Sequence, residues 1–264
     1  MHLSSLHLYP IKSSAPLEVE TALVEPRGLR NDRRWMVVDA AGRFITGREM
    51  PRLTLVSARP TARGLSLQAP GMPSVQVPFP EADTTVPVVV WKSVVAARPA
   101  DAAADVWLSE FLQKPVRLVH MDASVARPMT DVHSQAGDEV SFADAFPMLL
   151  ITRAALDGLN ARLAKPVSML RFRPNLVVDN APAHAEDGWE RIRIGEVEFD
   201  VAKPCSRCVF TTVDPLRGER DPDGEPLRTL IGYRRSGDGV TFGQNLIPRS
   251  PGTLRIGDAV EVLD

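Results

Sequence analysis

Cysteine is nearly absent: Cys205 and Cys208 are the only two in 264 residues. That excludes a disulfide-stapled secreted scaffold, and equally a four-cysteine zinc or iron–sulfur site within one chain. Long apolar runs are missing as well. Stretches such as Val86–Trp91 and Phe146–Ile151 fall far short of the ~18 residues a spanning helix needs. The first residues, Met1-His-Leu-Ser-Ser, lack the basic start and apolar stretch of a secretory leader. The expected address is the cytoplasm, with no membrane partner. Neither charge is in excess: the net value is −2, which leaves no global polycation field for nucleic acid. The five histidines show neither His-x-His nor His-x-x-x-His spacing, so a mononuclear zinc-hydrolase signature is absent. A Gly-x-Ser-x-Gly elbow and a Walker A loop are absent too.

Proline is plentiful, with 23 residues spread from Pro10 to Pro251, so few long helices can form. The first third alternates in the manner of β-strands: Leu3–Pro10, a strand–turn–strand over Arg34–Thr46, Leu65–Ala69, Val75–Phe79 and Val86–Trp91. Asp101 is placed to cap a helix carrying Ala103, Trp107 and Phe111 on one face, and Lys114-Pro115 ends it. Thr152 is placed to cap a second helix over Arg153–Ala164, with Leu156, Leu159 and Leu163 as its stripe. The polar Asp122–Gly137 stretch reads as a loop, and Asn175–Asp179 as a strand. Arg191–Val201 reads as a hairpin around Gly195, and Thr253–Val262 repeats that grammar. The fold class expected is α+β, rich in β. The Ala96–Asp105 stretch is the best candidate for a junction between domains.

The strongest local feature is Lys203-Pro-Cys-Ser-Arg-Cys-Val-Phe-Thr-Thr-Val-Asp-Pro. Pro204 is expected to break the preceding strand, leaving both cysteines in a loop before a strand at Val209–Val213. Lys203 and Arg207 beside the thiols favour thiolate, the form that binds metal or attacks. By spacing alone, four readings stay open. They are a redox pair, half of a shared zinc site, two small buried residues, or one thiolate holding a large cofactor. Elsewhere, Lys12 and Ser13 follow a strand, and Arg33 and Arg34 precede one and point to opposite faces. Arg171 and Arg173 are expected on one side, with Arg173 extended before Pro174. Cations at strand ends converging on a cysteine loop suit an anionic cofactor.

Tyr9-Pro-Ile-Lys-Ser, Asp32-Arg-Arg-Trp, Phe172-Arg-Pro-Asn, Cys205-Ser-Arg-Cys-Val-Phe-Thr-Thr-Val-Asp-Pro and Phe242-Gly-Gln-Asn together resemble MOSC proteins carrying the N-terminal MOSC β-barrel domain. The amidoxime-reducing components and their bacterial relatives belong to that group. The resemblance spans essentially the whole chain. It implies a MOSC β-barrel at 119–264 and an N-terminal β-rich MOSC-associated domain at 1–118, with a few short helices. The first ~33 residues are expected to pack on the second domain.

The resemblance further implies a molybdenum cofactor, Mo-molybdopterin. Cys208, not Cys205, would be the catalytic thiolate and metal ligand. Cofactor contacts carry over to Lys12, Ser13, Arg33, Asp144, Arg173, Asn175, Ser206, Arg207 and Asn245, with the Asp144 stretch contributing through its backbone. The implied reaction reduces a small N-hydroxylated compound. The implied partner is a separate electron donor of ferredoxin, cytochrome b5-like or flavin-reductase type, because the chain holds no further cysteines for a cluster. A monomer is expected. Sulfur transfer is a second reading, limited because no pyridoxal-phosphate domain is present; cofactor carriage is a third. Ser14-Ala15-Pro16 departs from the family pattern after the lysine–serine pair. Asp214 is placed to cap the turn at Pro215 rather than to deliver a proton.

Overall fold

The computed structural model describes residues 1–81, 84–237 and 239–263. Its main sheet orders the strands Leu17–Glu18, His2–Leu8, Leu176–Asp179, Met148–Thr152, Gly239–Pro248, Val197–Ser206, Arg191–Ile194 and Val260–Leu263, with Arg235–Ser236 paired outside that path. Neighbours are antiparallel except Met148–Thr152 and Leu176–Asp179, which run parallel. Helix Arg153–Asn160 makes the crossover that a parallel pair requires. The sheet curls until its two ends meet. His2 bridges Ala259, the Leu3 N–H donates to the Asp258 carbonyl at 2.9 Å, and the Gly257 N–H donates to the Leu3 carbonyl at 2.8 Å. Closure removes the exposed edge that an open sheet would carry. Inside lie Leu6, Leu150, Leu176, Phe199 and Leu246, all fully buried.

Among the described residues four smaller sheets accompany it, one of them the short pairing of Val213–Asp214 with Glu219–Arg220. One orders Trp35–Val38, Arg117–His120, Ser93–Pro99 and Val86–Val90. A second contains Ser57–Thr61, Gly64–Gln68 and Val75–Pro78. A third joins Gly252–Arg255 to Thr21–Glu25 and Gly28–Leu29. Helix Ala102–Leu112 covers the second core through Trp107, Leu108 and Phe111. Its cap is the expected one: the Asp101 carboxylate accepts from the Ala104 N–H at 2.9 Å. The β-rich α+β class is the observed one, with only three α-helices among the described residues.

Several local expectations change. Helix Arg153–Asn160 stops earlier than Ala164 because the Asn160 side chain turns to the Val167 backbone, accepting at 2.8 Å and donating at 3.1 Å. Thr152 does not cap it by side chain; its hydroxyl donates to buried Glu186 at 2.7 Å. Ala96–Asp105, the candidate junction, closes one strand and opens a helix. Thr253–Val262 is not a hairpin. Gly252–Arg255 pairs with Thr21–Glu25 while Val260–Leu263 pairs with Arg191–Ile194. Gly195 does turn the hairpin expected there, at φ +58°.

Candidate active site

The cysteine segment departs from expectation first. Pro204 does not end the strand, which runs from Val197 to Ser206 with register shifts at Val201/Lys203 and Pro204/Ser206. The irregular pairing accommodates a residue without an N–H. Cys205 therefore lies within the strand, half-buried against the hydrophobic cluster that contains Phe172 and Phe242. Burial pushes its thiol up, and the nearby Arg207 charge only partly opposes this. Cys208 is exposed and free. The strand expected at Val209–Val213 is instead a 3₁₀ turn over Val209–Thr212, fastened where the Thr211 hydroxyl donates to the Cys208 carbonyl at 2.9 Å.

A cleft with about 880 Å³ of empty space, its open mouth included, lies in front of Cys208. All ten expected site residues line it. They reach it from distant segments: the turn after the first strand, the Arg33 corner, the Asp144 loop, the Arg173–Asn175 stretch, the cysteine segment and strand Gly239–Pro248. Among the described residues the lining carries six cationic side chains, Lys12, Arg33, Arg48, Arg171, Arg173 and Arg207, against the single carboxylate of Asp144. In a chain of net charge −2, that concentration of positive charge favours an anionic ligand.

Each cation is held. The Lys12 side chain is only 6% exposed. Its ammonium donates to the Phe142 carbonyl at 2.7 Å and pairs with Asp144. Burial lowers its pKa while Asp144 opposes the shift. Although crowding by neighbouring groups works against its charge, Lys12 and the Trp91 indole N–H hold the solvent-accessible Asp144 carboxylate well below the usual range. Arg33 pairs with fully buried Asp32 and donates to Asn175 Oδ1 at 2.9 Å. Arg207 donates to the carbonyls of Phe242 at 2.8 Å and Phe172 at 3.0 Å.

Arg173 is not extended. It sits at φ +57°, and Ser13 and Arg33 also occupy the left-handed region at +68° and +49°. Such strain gathers where tertiary contacts over-determine the backbone. For Arg173 those contacts are the Ser14 carbonyl, which accepts from Nη1 at 2.6 Å, and the Tyr9 ring, 4.1 Å from the guanidinium. Burial brings its pKa down to about 10. Arg171 lines the same cleft as Arg173, as expected, and its guanidinium reaches the Thr212 carbonyl at 2.8 Å and Asp214 at 3.3 Å. Asp214 also takes its expected turn role, accepting from the Leu216 N–H at 2.9 Å.

Two lining groups are buried with no partner among the described residues: Arg173 Nη2 and Thr46 Oγ1. Unpaired buried donors are costly unless a ligand or water satisfies them. Sequence reasoning missed Thr46, Arg48 and Phe210. Gly47 is the signal that marks them: a Cβ there would lie 2.2 Å from Phe210 Cε2. The Thr46–Arg48 loop and the cysteine segment thus meet in direct contact.

The family descriptions that match are "MOSC N-terminal beta barrel domain" over residues 1–115 and "MOSC domain" over residues 137–261. The chain belongs to the MOSC-domain proteins that carry this N-terminal barrel. Its relatives include mitochondrial amidoxime-reducing component 1 of Danio rerio, 37% identical, with 98% of this chain and 83% of that protein covered. The Homo sapiens protein of the same name is 34% identical, with 99% and 82% covered. Mitochondrial amidoxime reducing component 2 of Rattus norvegicus is 35% identical, with 98% and 82% covered. Among solved structures, the YuaD protein of Bacillus subtilis aligns with a TM-score of 0.48 at 10% identity, covering 98% of this chain and 92% of that one. The relatives' names correct the cytoplasmic expectation. All three are called mitochondrial, and the composition of the first residues was no guide to compartment. Among the described residues, no helix is long and apolar enough to cross a membrane.

Proposed function

We propose that this protein is a molybdenum-cofactor-dependent reductase of N-hydroxylated compounds, with Cys208 as the protein's thiolate ligand. The observation that carries the reading is one cleft where six cations and an exposed cysteine face the same space. The relatives' names, amidoxime-reducing components, supply the reaction class.

The residues present fit the group. A pterin phosphate needs bidentate and point-charge donors. Arg173 Nη2 and Thr46 Oγ1 stand buried and unpartnered in the lining. A soft metal already held by dithiolene sulfurs suits one more thiolate. Cys208 is exposed, while Cys205, which also lines the cleft, is half-buried against the cluster of Phe172 and Phe242.

When bound, the cofactor would supply two-electron oxygen-atom removal from the N–OH group. The overall reaction takes two electrons and two protons and releases water with the amidine or amine. The chain's own part is to bind, orient and exclude. Lys12, Arg33, Arg173 and Arg207 would hold the anionic end, and Asn175, the Asp144 loop, Ser206 and Asn245 would line the rest of its site. The electrons come from a separate donor protein.

The test is elemental and pterin analysis of protein made in a molybdopterin-competent host, with benzamidoxime reduction by an artificial donor. Near-stoichiometric molybdenum and turnover, both lost in Cys208→Ala and retained in Cys205→Ala, are expected. Equal loss in the two variants overturns the ligand assignment. No molybdenum and no pterin in the parent protein overturns the whole reading.

A further inference from the structure

We propose that Trp91 is a specificity-determining residue whose indole forms a stacking wall at the cleft rim, favouring flat, conjugated N-hydroxylated substrates over alkyl ones. The proposal rests on the reductase reading and names its substrate class.

The starting point is a local contradiction. Val90 and Ser93 pair directly, so the strands Val86–Val90 and Ser93–Pro99 are joined by a two-residue turn, Trp91-Lys92. Trp91 occupies its first position at φ +54°. Tight hairpin turns place glycine, asparagine or aspartate at such positions, and a bulky aromatic there is an outlier. A residue that violates turn chemistry and persists points to a use beyond the turn.

The surroundings supply that use. Trp91 is 43% exposed, yet its indole is fixed. Nε1 donates to Asp144 Oδ1 at 3.1 Å. The Arg48 guanidinium lies 4.5 Å from the ring centroid. Phe44 meets the ring at 5.2 Å, tilted by 55°. Asp144 and Arg48 both line the cleft, so the indole is tied to two separate points of the rim. A rigid, partly exposed aromatic offers contact area with little ordering cost on binding. Asp144 completes the device: its side chain is 69% exposed and its carboxylate stays charged beside Lys12. A flat amidoxime stacked on the indole presents its N–H groups to such an acceptor; an alkyl one gains nothing from the ring.

The experiment compares benzamidoxime with acetamidoxime in parent, Trp91→Asn and Trp91→Phe proteins. Asparagine tolerates positive φ, so the turn is preserved. Loss of one stacking partner corresponds to a change of roughly two- to tenfold. Trp91→Asn is expected to lower the benzamidoxime-to-acetamidoxime ratio of kcat/KM by up to about tenfold, through KM. Trp91→Phe is expected to restore most of it. Calorimetric binding of both compounds to the cofactor-loaded protein gives a second readout, independent of turnover. Unchanged selectivity in both measurements overturns the proposal. So does a fall in kcat with loss of molybdenum, which makes the residue a support for the cofactor. Selective binding lost in Trp91→Asn, in a parent that turns over neither compound, upholds the wall and overturns the reductase reading.

Discussion

Replacing Asn175 with alanine tests how the barrel and the cleft share one side chain. Asn175 is fully buried. Its Nδ2 donates to the His7 carbonyl at 3.1 Å, and its Oδ1 accepts from the Leu149 N–H at 3.2 Å and from Arg33 Nη1 at 2.9 Å. Those three groups belong to the first strand, to strand Met148–Thr152 and to the arginine corner. Alanine strands the carbonyl and the N–H in the interior, where each unpaired group costs about 1–3 kcal/mol. Arg33 keeps Asp32, so its loss is the smaller part. The sum is about 3–5 kcal/mol. At roughly 2–4 °C per kcal/mol for a chain of this size, the melting temperature should fall by about 6–20 °C. Asn175→Asp is the informative companion. It keeps both acceptor interactions but sets a carboxylate oxygen against the His7 carbonyl oxygen in a fully buried site, so it should also be destabilised. The assay is thermal melting followed by far-ultraviolet circular dichroism. A melting temperature within 2 °C of the parent for either variant refutes the reasoning.

Other expectations follow from the same geometry. The Tyr9 ring lies between the guanidinium groups of Arg33 and Arg173, at 4.4 and 4.1 Å. Tyr9→Phe, which keeps the ring, should retain most bound cofactor, whereas Tyr9→Leu should release it several-fold faster on dilution; equal release rates would sink this. Gly47→Ala should push Phe210 aside, because the new Cβ falls 2.2 Å from Phe210 Cε2. Overpacking of this kind costs about 1–3 kcal/mol, and unchanged stability with unchanged KM would contradict it. His120 packs on Trp35 and Phe79, and burial, aided by Arg34 and Arg98 against Asp122, pulls its pKa from 6.5 to about 4. The unfolded chain takes up that proton below 6.5 and the folded chain only near 4. Stability is therefore full above the unfolded value and is lost as the pH falls through the window, by about 2 kcal/mol at pH 5. A His120→Phe variant that melts with the parent's slope between pH 7 and pH 5 would refute this.

Features written over a short span were legible before any coordinates. Asp101 and the apolar stripe behind it define a helix because cap and period lie within a dozen residues. Gly195 defines a hairpin for the same reason. Thr253–Val262 carries nearly the same letters, yet its two halves go to different sheets, since the partner Thr21–Glu25 lies more than two hundred residues away. Arg173 shows the same limit at the site. Its following proline argues for an extended backbone, but the Ser14 carbonyl and Tyr9 ring decide otherwise. The motifs identified the cleft's residues; they were silent on Thr46, Arg48 and Trp91, whose only marks are a glycine and an ill-suited turn residue.

The closure between His2 and Ala259 has a consequence for biosynthesis. Strand His2–Leu8 finds Leu17–Glu18 close by in the chain, but Leu176–Asp179 and the Asp258 region are made much later. Lys12 and Arg33 are likewise made long before Cys208 and Asn245. Contacts of such sequence separation form slowly and late. A nascent chain therefore holds only part of the cleft's lining until Cys208 and Asn245 have been made.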